Sequence, residues 1–354
     1  METPLQERTH TPAQAADLVK DKARALGFDL CGIARARPLD PARLDRWFAQ
    51  GWDAPAISYV RERRAERLDP SRLVPGARSV IALAASYAPE LPERATSGGL
   101  VVARYAQGRD YHNVVLRPLR KLAAWLRSHL AARVYCEVDT GAVLEKAWAQ
   151  EAGLGWIGKN GCLINERLGS WLLLGALVTD LDLAADAAHP DRCGECIACI
   201  PACPTAAIPE PRYVDANRCL AYHTIEHRGP IPPSIARAAK GRVFGCDACQ
   251  EVCPWNRRAP AATLVQLRAR AEQRELDAAD VLRLTREEAW RRYEGTPLLR
   301  AGRDGLVRSA LAVAPRPLSA EVRFLAERLT DDPAEGVREE ARRALAERCA
   351  AAGQ

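Results

Sequence analysis

Hydrophobic and polar positions in the first 180 residues follow two different periods, one typical of helices and one typical of strands. Thr11-Pro-Ala-Gln14 is a helix-start signal, and apolar residues recur at helical spacing after it. Longer periodic segments predict helices at residues 111–130 and 143–151. Short apolar runs predict strands at residues 30–34, 79–83, 133–138 and 171–178. The mixture predicts an α/β (α+β) domain built around one substantial sheet.

The remainder of the chain changes character twice. Residues 185–260 are loop-rich and contain many prolines, so we expect a bound metal to hold them more than a core of their own. Residues from 261 onward favour helices, and Thr285-Arg-Glu-Glu288 is a capping box. Residues 332–345 are typical of a HEAT-type repeat helix, although a helical bundle that only covers the core fits the same pattern. We therefore divide the chain into residues 1–184, 185–260 and 261–354.

Composition places the chain among ordinary globular proteins. Of its 354 residues, 48% are hydrophobic and 27% are charged. No apolar run reaches the ~18 residues of a membrane-spanning helix, and no signal peptide is recognisable, so we expect a cytoplasmic protein without membrane contact. The net charge of +6 suits an anionic partner such as nucleic acid. Most of the basic residues are arginines in an alanine-rich chain, which weakens that argument because biased codon usage has the same effect.

Two cysteine runs carry the strongest chemical signal in the sequence. Residues 193–204 read C-x2-C-x2-C-x3-C-P, which is the spacing that holds [4Fe–4S] clusters in bacterial ferredoxins. Residues 246–254 keep the end of that pattern, and Cys219 supplies the thiolate that this second run lacks. A disulfide framework would require an oxidising compartment, and a zinc site would not use the whole of the first run. The pattern therefore predicts a ferredoxin-like module with two [4Fe–4S] clusters.

The ligands of the two clusters are expected to cross over, because the fourth cysteine of a ferredoxin run serves the other cluster. Cluster 1 is accordingly assigned Cys193, Cys196, Cys199 and Cys253. Cluster 2 is assigned Cys203, Cys219, Cys246 and Cys249. The remaining cysteines stand in apolar or helical contexts, and we interpret them as small core residues: Cys31, Cys136, Cys162 and Cys349.

A third candidate region begins at Asp139, at the end of a predicted strand and before a predicted helix. Strand ends carry chemistry in many proteins because they project side chains from a rigid support, although an aspartate here would also serve as an ordinary helix cap. Glycines follow at positions 153, 155, 158 and 161, on either side of Trp156 and Lys159. Such a density of glycine lets the backbone approach a large flat or phosphate-bearing ligand closely. The spacing is neither a dinucleotide-binding fingerprint nor a Walker A loop.

Several motifs together resemble the epoxyqueuosine reductase family over residues 12–315. They are the Asp139 segment, Ser170-Trp171, residues 104–112 and residues 244–256. The resemblance implies a cobalamin-binding N-terminal domain related to reductive dehalogenases, whose cobalt receives electrons from the ferredoxin-like module. It also implies reduction of epoxyqueuosine to queuosine at the wobble position of a tRNA anticodon, the last step of queuosine biosynthesis. An external one-electron donor would feed the clusters, and we expect a monomer.

The resemblance also implies roles for individual residues. Asp139 matches the family's proton donor, and to donate at neutral pH it needs a pKa raised by desolvation between the corrin and the bound substrate. The cofactor is expected as base-off cob(II)alamin, since the motif around His112 lacks the rest of the histidine-ligating pattern. Candidate cobalamin contacts lie in the matching motifs: Tyr105, Asp139, Lys159, Asn160 and Ser170. After Cys219 the chain reads Leu220-Ala221-Tyr222 where the family usually has Ile-Ser-Tyr, so any contact made by that serine is absent.

Basic residues around the second cysteine run form the candidate tRNA contacts. They are Arg237, Lys240, Arg242, Arg257 and Arg258. If they face the corrin, they would bind phosphates of the anticodon stem-loop while the modified base enters the pocket; otherwise they are ordinary solvated surface. Two other functions fit part of the sequence. One is a reductive dehalogenase-like enzyme that acts on a small molecule, and the other is an electron carrier in which only the ferredoxin-like module is active.

Overall fold

The computed structural model describes residues 10–90 and 99–351, with side chains described up to residue 346, so the side chain of Cys349 lies outside the described residues. The strands are β1 (Leu30–Arg35), β2 (Ser79–Ser86), β3 (Leu100–Val102), β4 (Val134–Glu137), β5 (Trp156–Ile157), β6 (Leu163–Ile164), β7 (Leu172–Thr179), β8 (Arg242–Phe244) and β9 (Glu275–Leu276). The helices of the first half are α1 (Pro12–Ala25), α2 (Ala42–Ala49), α3 (Tyr59–Glu62), α4 (Arg64–Leu68), α5 (Tyr111–Leu130) and α6 (Glu145–Glu151). The later helices are α7 (Cys199–Ala202), α8 (Leu220–Ile225), α9 (Pro233–Ala238), α10 (Ala248–Glu251), α11 (Ala271–Arg274), α12 (Ala278–Leu282), α13 (Arg286–Tyr293), α14 (Gly302–Val313), α15 (Ala320–Arg328) and α16 (Glu335–Ala351).

The main sheet contains four antiparallel strands in the order β1-β2-β7-β4. Every residue of β2 is buried, because helices cover both faces of the sheet. Ile81 and Leu83 point to the face covered by α1 and α5, whereas Val80 and Ala82 point to the face covered by α6. The predicted mixed domain with one substantial sheet is confirmed, and the four predicted strands correspond to β1, β2, β4 and β7.

Helices α1 and α5 begin where the sequence predicts them. The side chains of Thr11 and Gln14 each accept a hydrogen bond from the other residue's backbone N–H, which completes the predicted capping box. Asp110 caps α5, and its carboxylate accepts the N–H of His112 at 3.0 Å. The cap places Tyr111 and His112 in the first turn of α5, at the end of the sheet where β4 also ends.

A small three-stranded sheet joins the three predicted regions. Its order is β8-β3-β9, and each strand comes from a different region. The core around this sheet is also shared, since Leu100, Phe244 and Leu306 belong to one buried cluster. The cysteine-rich segment thus shares a hydrophobic core with both of its neighbours, which its proline content did not predict.

Helices dominate the C-terminal region, as the sequence predicts. Thr285 and Glu288 form the expected capping box at the start of α13. Helix α14 is buried along most of its length and packs against α12, α13 and α16. Helices α2 to α4 are short and were not predicted. No helix within the ranges described above is long and apolar enough to cross a bilayer.

Candidate active site and cysteine groups

Asp139 lies in the loop between β4 and α6, and its backbone adopts the left-handed region at φ 62°. That region is costly for most residues, and aspartate tolerates it better than most. The N–H of Asp139 donates to Oε1 of Glu145 at 2.7 Å, and the N–H of Thr140 donates to the carbonyl of Val138 at 2.8 Å. Leu144, not Asp139, is the N-cap of α6, so the interpretation of Asp139 as a helix cap is wrong. The Asp139 carboxylate is 54% exposed and therefore open to a ligand.

Two side chains from the first turn of α5 reach this carboxylate. The hydroxyl of Tyr111 donates to Oδ2 of Asp139 at 2.6 Å, and Nε2 of His112 lies 3.4 Å from the same oxygen. On its other side, Nδ1 of His112 lies 2.9 Å from Oδ1 of Asp110. The rings of Tyr111 and His112 stack with their centroids 4.2 Å apart. Both ring nitrogens of His112 therefore face carboxylates, as expected for a histidine that does not ligate cobalt.

Hydrogen bonding sets the charges of this group. The hydrogen bond with Asp110, followed by the one with Asp139, raises the pKa of His112 to about 9. Partial desolvation by the surrounding protein raises the pKa of Asp139 even though its side chain is half exposed, but hydrogen bonds from His112 and Tyr111 outweigh this effect, so the pKa lies below its usual range. At neutral pH the proton is therefore on His112 and Asp139 is ionised. The raised pKa that we expect for Asp139 when it is enclosed between corrin and substrate remains a prediction.

Charged residues from distant segments surround Asp139. Arg67 on α4 is 5% exposed, and its Nε and Nη2 atoms have no hydrogen-bond partner among the described residues. Its guanidinium interacts electrostatically with both Glu145 and Asp139. Arg300, from the C-terminal region, forms an ion pair with Glu226 of the cysteine-rich region, with Nη2 3.0 Å from Oε2. Its positive charge also interacts with Asp139 and contributes to the lowered pKa of that carboxyl. The site therefore draws on all three predicted regions of the chain.

The four cysteines assigned to cluster 1 line one cavity. They are Cys193, Cys196, Cys199 and Cys253, and Asn160 and Trp255 border the same space. Burial, followed by repulsion from the neighbouring thiolates, raises the pKa of Cys199 to about 11. Cys253 belongs to the second cysteine run and the other three to the first. The structure thus brings together the residues that the predicted crossover requires.

The four cysteines assigned to cluster 2 form a second group. Their thiols interact electrostatically in sequence: Cys203 acts on Cys219, Cys219 acts on Cys246, and Cys246 acts on Cys249. Burial raises the pKa of the Cys246 thiol to about 11. The backbone N–H of Ala207 donates to Sγ of Cys203 at 3.2 Å. Backbone hydrogen bonds to sulfur of this kind stabilise thiolate ligands of iron–sulfur clusters.

Cys162 differs from the expectation that it is a core residue. Its thiol interacts with that of Cys249, and this interaction lowers the pKa of Cys162 to about 7, so Cys162 adjoins the second cysteine group. Cys31 and Cys136 do pack against the core of the main sheet, and burial raises the pKa of Cys31 to about 12. Across the described part of the chain, no three Cys, His, Asp or Glu side chains are close enough to enclose a single metal ion.

Of the candidate cobalamin contacts, Tyr105 packs its ring edge-on against Tyr111 of α5, and its phenol interacts electrostatically with Asp139. Lys159 and Asn160 lie on the border of the cavity that the cluster 1 cysteines line. The Nζ atom of Lys159 donates to the carbonyl of Gly194 in the first cysteine run at 2.7 Å. The glycine-rich segment folds as the β5–β6 hairpin beside these cysteines, and the contact of Lys159 and Asn160 with cobalamin remains a prediction.

Ser170, whose contact with cobalamin remains a prediction, lies just before β7. It is 3% exposed, and its hydroxyl accepts a hydrogen bond from Nδ2 of Asn256 at 2.9 Å. Its carbonyl accepts a hydrogen bond from Nε2 of Gln250 at 2.8 Å. These bonds tie the start of β7 to the second cysteine run. The hydroxyl of Ser170 is therefore a structural link between the sheet and the cysteine-rich segment.

The candidate tRNA contacts fall into two groups. Lys240 and Arg242 line a cavity of about 650 Å³ beside the second cysteine run, and Arg242 lies 3.7 Å from a glutamate. Arg237 is exposed on the neighbouring helix α9. Arg257 and Arg258 are exposed in the turn after the second run, and neither has an ion pair among the residues that the structure describes.

Sequence reasoning missed four residues of the site, namely Arg67, Tyr111, His112 and Glu145. Tyr111 and His112 lie in a segment that the resemblance uses, and the capping signal of Asp110 would have put both in one helical turn facing a strand end. Glu145 follows Asp139 closely, but nothing in the pattern shows that it accepts that backbone N–H. Arg67 stands in a segment without any motif, so only the tertiary structure reveals it.

Two family models match parts of the chain. Residues 192–256 match a model described as "4Fe-4S double cluster binding domain", and this range contains all eight cysteines of the two groups. Residues 67–140 match a model described as "Epoxyqueuosine reductase QueG, DUF1730". The second range contains Arg67, the first turn of α5 and Asp139.

Full-length relatives and solved structures agree with these models. The epoxyqueuosine reductase of Gloeobacter violaceus is 45% identical over 84% of this chain and 95% of its own length. That of Pseudomonas aeruginosa is 38% identical over 94% of both chains. A crystal structure of epoxyqueuosine reductase with an epoxyqueuosine-modified tRNA-Tyr stem loop superposes with a TM-score of 0.86 at 26% identity, covering 95% of this chain and 90% of that chain. For the enzyme of Streptococcus thermophilus the TM-score is 0.83 at 25% identity, with coverage of 93% and 89%. The chain therefore belongs to the epoxyqueuosine reductase family and is an oxidoreductase.

Proposed function

We propose that the chain reduces epoxyqueuosine to queuosine at the wobble position of a tRNA anticodon, the last step of queuosine biosynthesis. The observation that carries the proposal is the Asp139 carboxylate in contact with two proton donors, on a chain that matches this family over most of its length. The reaction removes the epoxide oxygen as water. Two C–O bonds break, a carbon–carbon double bond forms, and two electrons and two protons are consumed. The protein therefore needs a route for electrons and a route for protons.

The two cysteine groups are the proposed electron route. We assign one [4Fe–4S] cluster to Cys193, Cys196, Cys199 and Cys253, and a second to Cys203, Cys219, Cys246 and Cys249. An external one-electron donor would reduce them. The Cys162 thiol interacts electrostatically with Cys249 of one group and with Cys253 of the other, which supports a short path between the clusters.

Base-off cob(II)alamin is the proposed cofactor of the site. When bound, the cofactor would supply the strong nucleophile that opens the epoxide, once one electron has reduced its cobalt from Co(II) to Co(I). The residues fit such a cofactor, because Arg67 has two buried N–H donors without partners among the described residues and the corrin amide side chains offer carbonyl acceptors. The engagement of both His112 nitrogens by carboxylates supports a cobalt that histidine does not ligate.

Asp139 is the proposed proton donor to the epoxide oxygen, and His112 is the proposed source of its proton. The imidazole holds the proton at neutral pH, because its pKa is raised to about 9. Bound substrate excludes water from Asp139, which strengthens the effect of burial on its pKa and favours proton transfer from His112. Tyr111 fixes the position of the accepting oxygen through its 2.6 Å hydrogen bond.

A tRNA anticodon loop is the proposed substrate. One related structure holds an epoxyqueuosine-modified tRNA stem loop, and this chain is similar to that protein over 95% of its length. The exposed Arg257 and Arg258 support phosphate binding, and a base in a single-stranded loop leaves its stack at little cost. We assign cobalamin binding to residues 1–184, the clusters to residues 185–260, and a HEAT-like helical surface to residues 261–354.

The test of this proposal is a comparison of two substrates. Anaerobic protein reconstituted with cobalamin and reduced with titanium(III) citrate is incubated with tRNA that contains epoxyqueuosine, or with a brominated phenol. We expect queuosine from the tRNA and no bromide release above the protein-free control. Bromide release without any change in the tRNA would instead make the chain a dehalogenase of small molecules.

A further inference from the structure

Asn160 has an unused hydrogen-bond donor at the cavity of the cluster 1 cysteines. The residue is 4% exposed, and its Oδ1 accepts the backbone N–H of Cys162 at 3.1 Å. That bond fixes the orientation of the amide, because the opposite orientation would set two donors against each other. The Nδ2 atom has no hydrogen-bond partner among the described residues, and the residue borders the same cavity as Cys193 and Cys253. A buried donor without a partner is costly, so this position is suited to an acceptor inside the cavity.

Trp156 provides a second donor to the same group of cysteines. Its indole Nε1 lies 3.4 Å from Sγ of Cys193, and the side chain is fully buried. The ring packs edge-on against Trp255, with centroids 5.0 Å apart, and Trp255 borders the cavity. Trp156 begins the β5–β6 hairpin, and Asn160 lies in its turn. One hairpin therefore positions both donors at the cysteines of cluster 1.

We propose that Asn160 and Trp156 donate N–H···S hydrogen bonds to the sulfur atoms of cluster 1 and thereby raise its reduction potential. The inference rests on the proposed assignment of a [4Fe–4S] cluster to Cys193, Cys196, Cys199 and Cys253. Reduction adds negative charge to the cluster, and hydrogen bonds to sulfur stabilise the more negative form. Both residues act through the cluster, so they are positioning residues and not ligands.

The experiment is a redox titration of the anaerobically purified protein, followed by the EPR signals of the reduced clusters. Asn160→Leu keeps the branched shape but removes the donor together with the oxygen that accepts the Cys162 N–H, whereas Trp156→Phe removes the indole N–H and keeps an aromatic ring. In each variant we expect one of the two midpoint potentials to fall. The expected change is about tenfold in the ratio of reduced to oxidised cluster, which equals ~59 mV for one electron. The other midpoint potential stays unchanged and serves as an internal reference.

Trp255→Phe is the matched control. This residue borders the same cavity and packs on Trp156, but the described residues include no hydrogen bond from its indole to a cysteine sulfur. We expect both midpoint potentials of this variant to equal those of the wild-type protein.

Unchanged midpoint potentials in Trp156→Phe, with both cluster signals retained, would overturn the inference, and this variant decides the question if Asn160→Leu loses cluster 1. An equal shift in Trp255→Phe would also overturn it, because packing rather than hydrogen bonding would then be the cause. The titration uses neither tRNA nor cobalamin. Its result is therefore independent of whether the proposed reaction on tRNA is found.

Discussion

The hydroxyl of Tyr111 lies 2.6 Å from Oδ2 of Asp139, and the protonated imidazole of His112 faces the same oxygen at 3.4 Å. Two donors from one helical turn therefore meet one carboxylate oxygen. Asp110 holds the far side of the imidazole, so the proton on His112 is stabilised from both directions. This arrangement gives Asp139 a nearby proton at neutral pH even though its own carboxylate is ionised.

Replacement of Asp139 by asparagine should lower turnover by roughly 10²-fold or more, because general acid catalysis contributes on that scale. Asparagine keeps the size of the side chain and its ability to accept from Tyr111. We therefore expect the iron–sulfur and corrin absorption bands to match those of the wild-type protein. Single-turnover conversion of modified tRNA measures the effect, and near-normal turnover in a spectroscopically intact variant would exclude Asp139 as the acid.

The activity of the wild-type protein should fall as the pH rises through about 9, where His112 loses its proton. The pKa of His112 is raised above its ordinary value of 6.5. The imidazole therefore keeps its proton across the neutral range and loses it only above that range. His112→Gln still donates to Asp139 but cannot titrate. Its turnover should be low at every pH, without the decline near pH 9.

A pH profile of His112→Gln that still declines near pH 9 would assign the titration to another group. His129→Gln, at the exposed end of the same helix, is the control. We expect that variant to keep the wild-type profile, since His129 lies a long way along α5 from Asp139.

Replacement of Cys253 by serine should damage cluster 1, although this cysteine is distant in sequence from the other three cysteines that line the cavity. Iron analysis and Mössbauer spectra should show that cluster 2 is retained. Cys31→Ser, in the core of the main sheet, is the control and should keep both clusters. Loss of cluster 2 with retention of cluster 1 would show that the crossover is assigned the wrong way round.

Charge reversal at Arg257 and Arg258 should weaken tRNA binding and make it less sensitive to salt, because each lost phosphate contact lowers the slope of log affinity against log salt by about 1. Cofactor spectra should not change. Arg120→Glu with Lys121→Glu makes the same change of net charge on the exposed side of α5, and we expect this control to bind nearly as well as the wild type. Equal loss of affinity in both double variants would show that the change of net charge, and not a phosphate contact at Arg257 and Arg258, weakens binding.

Local signals in the sequence predicted most of the fold. The capping boxes at Thr11 and Thr285 and the four main strands depend on residues close together in the chain, and all were found. The cysteine spacing likewise predicted which thiols come together, because the geometry of a cluster constrains the loops around it. The meeting of Arg67, Asp139 and Arg300 could not be predicted, since it depends on tertiary packing between three regions.

The glycine-rich segment is a local signal whose partner the sequence could not identify. Its glycines do indicate a close approach, and the group that approaches Gly155 is the carbonyl of Ile164 in the same hairpin. Lys159 and Asn160 border the cavity of the cluster 1 cysteines, which the sequence did not predict, and their contact with cobalamin remains a prediction. The hydrogen bonds that hold the pKa of Asp139 below its usual range were not predicted either, because their donors come from α5.

The central claim is tested most directly by nucleoside mass spectrometry of tRNA from a strain that lacks the reductase activity. The purified protein, with both clusters and cobalamin in place, is supplied with a one-electron reductant. We predict that epoxyqueuosine disappears and queuosine, with one oxygen fewer, takes its place, and that omission of cobalamin or of the reductant prevents the change. Epoxyqueuosine that persists unchanged beside fully loaded and reduced protein would contradict the claim.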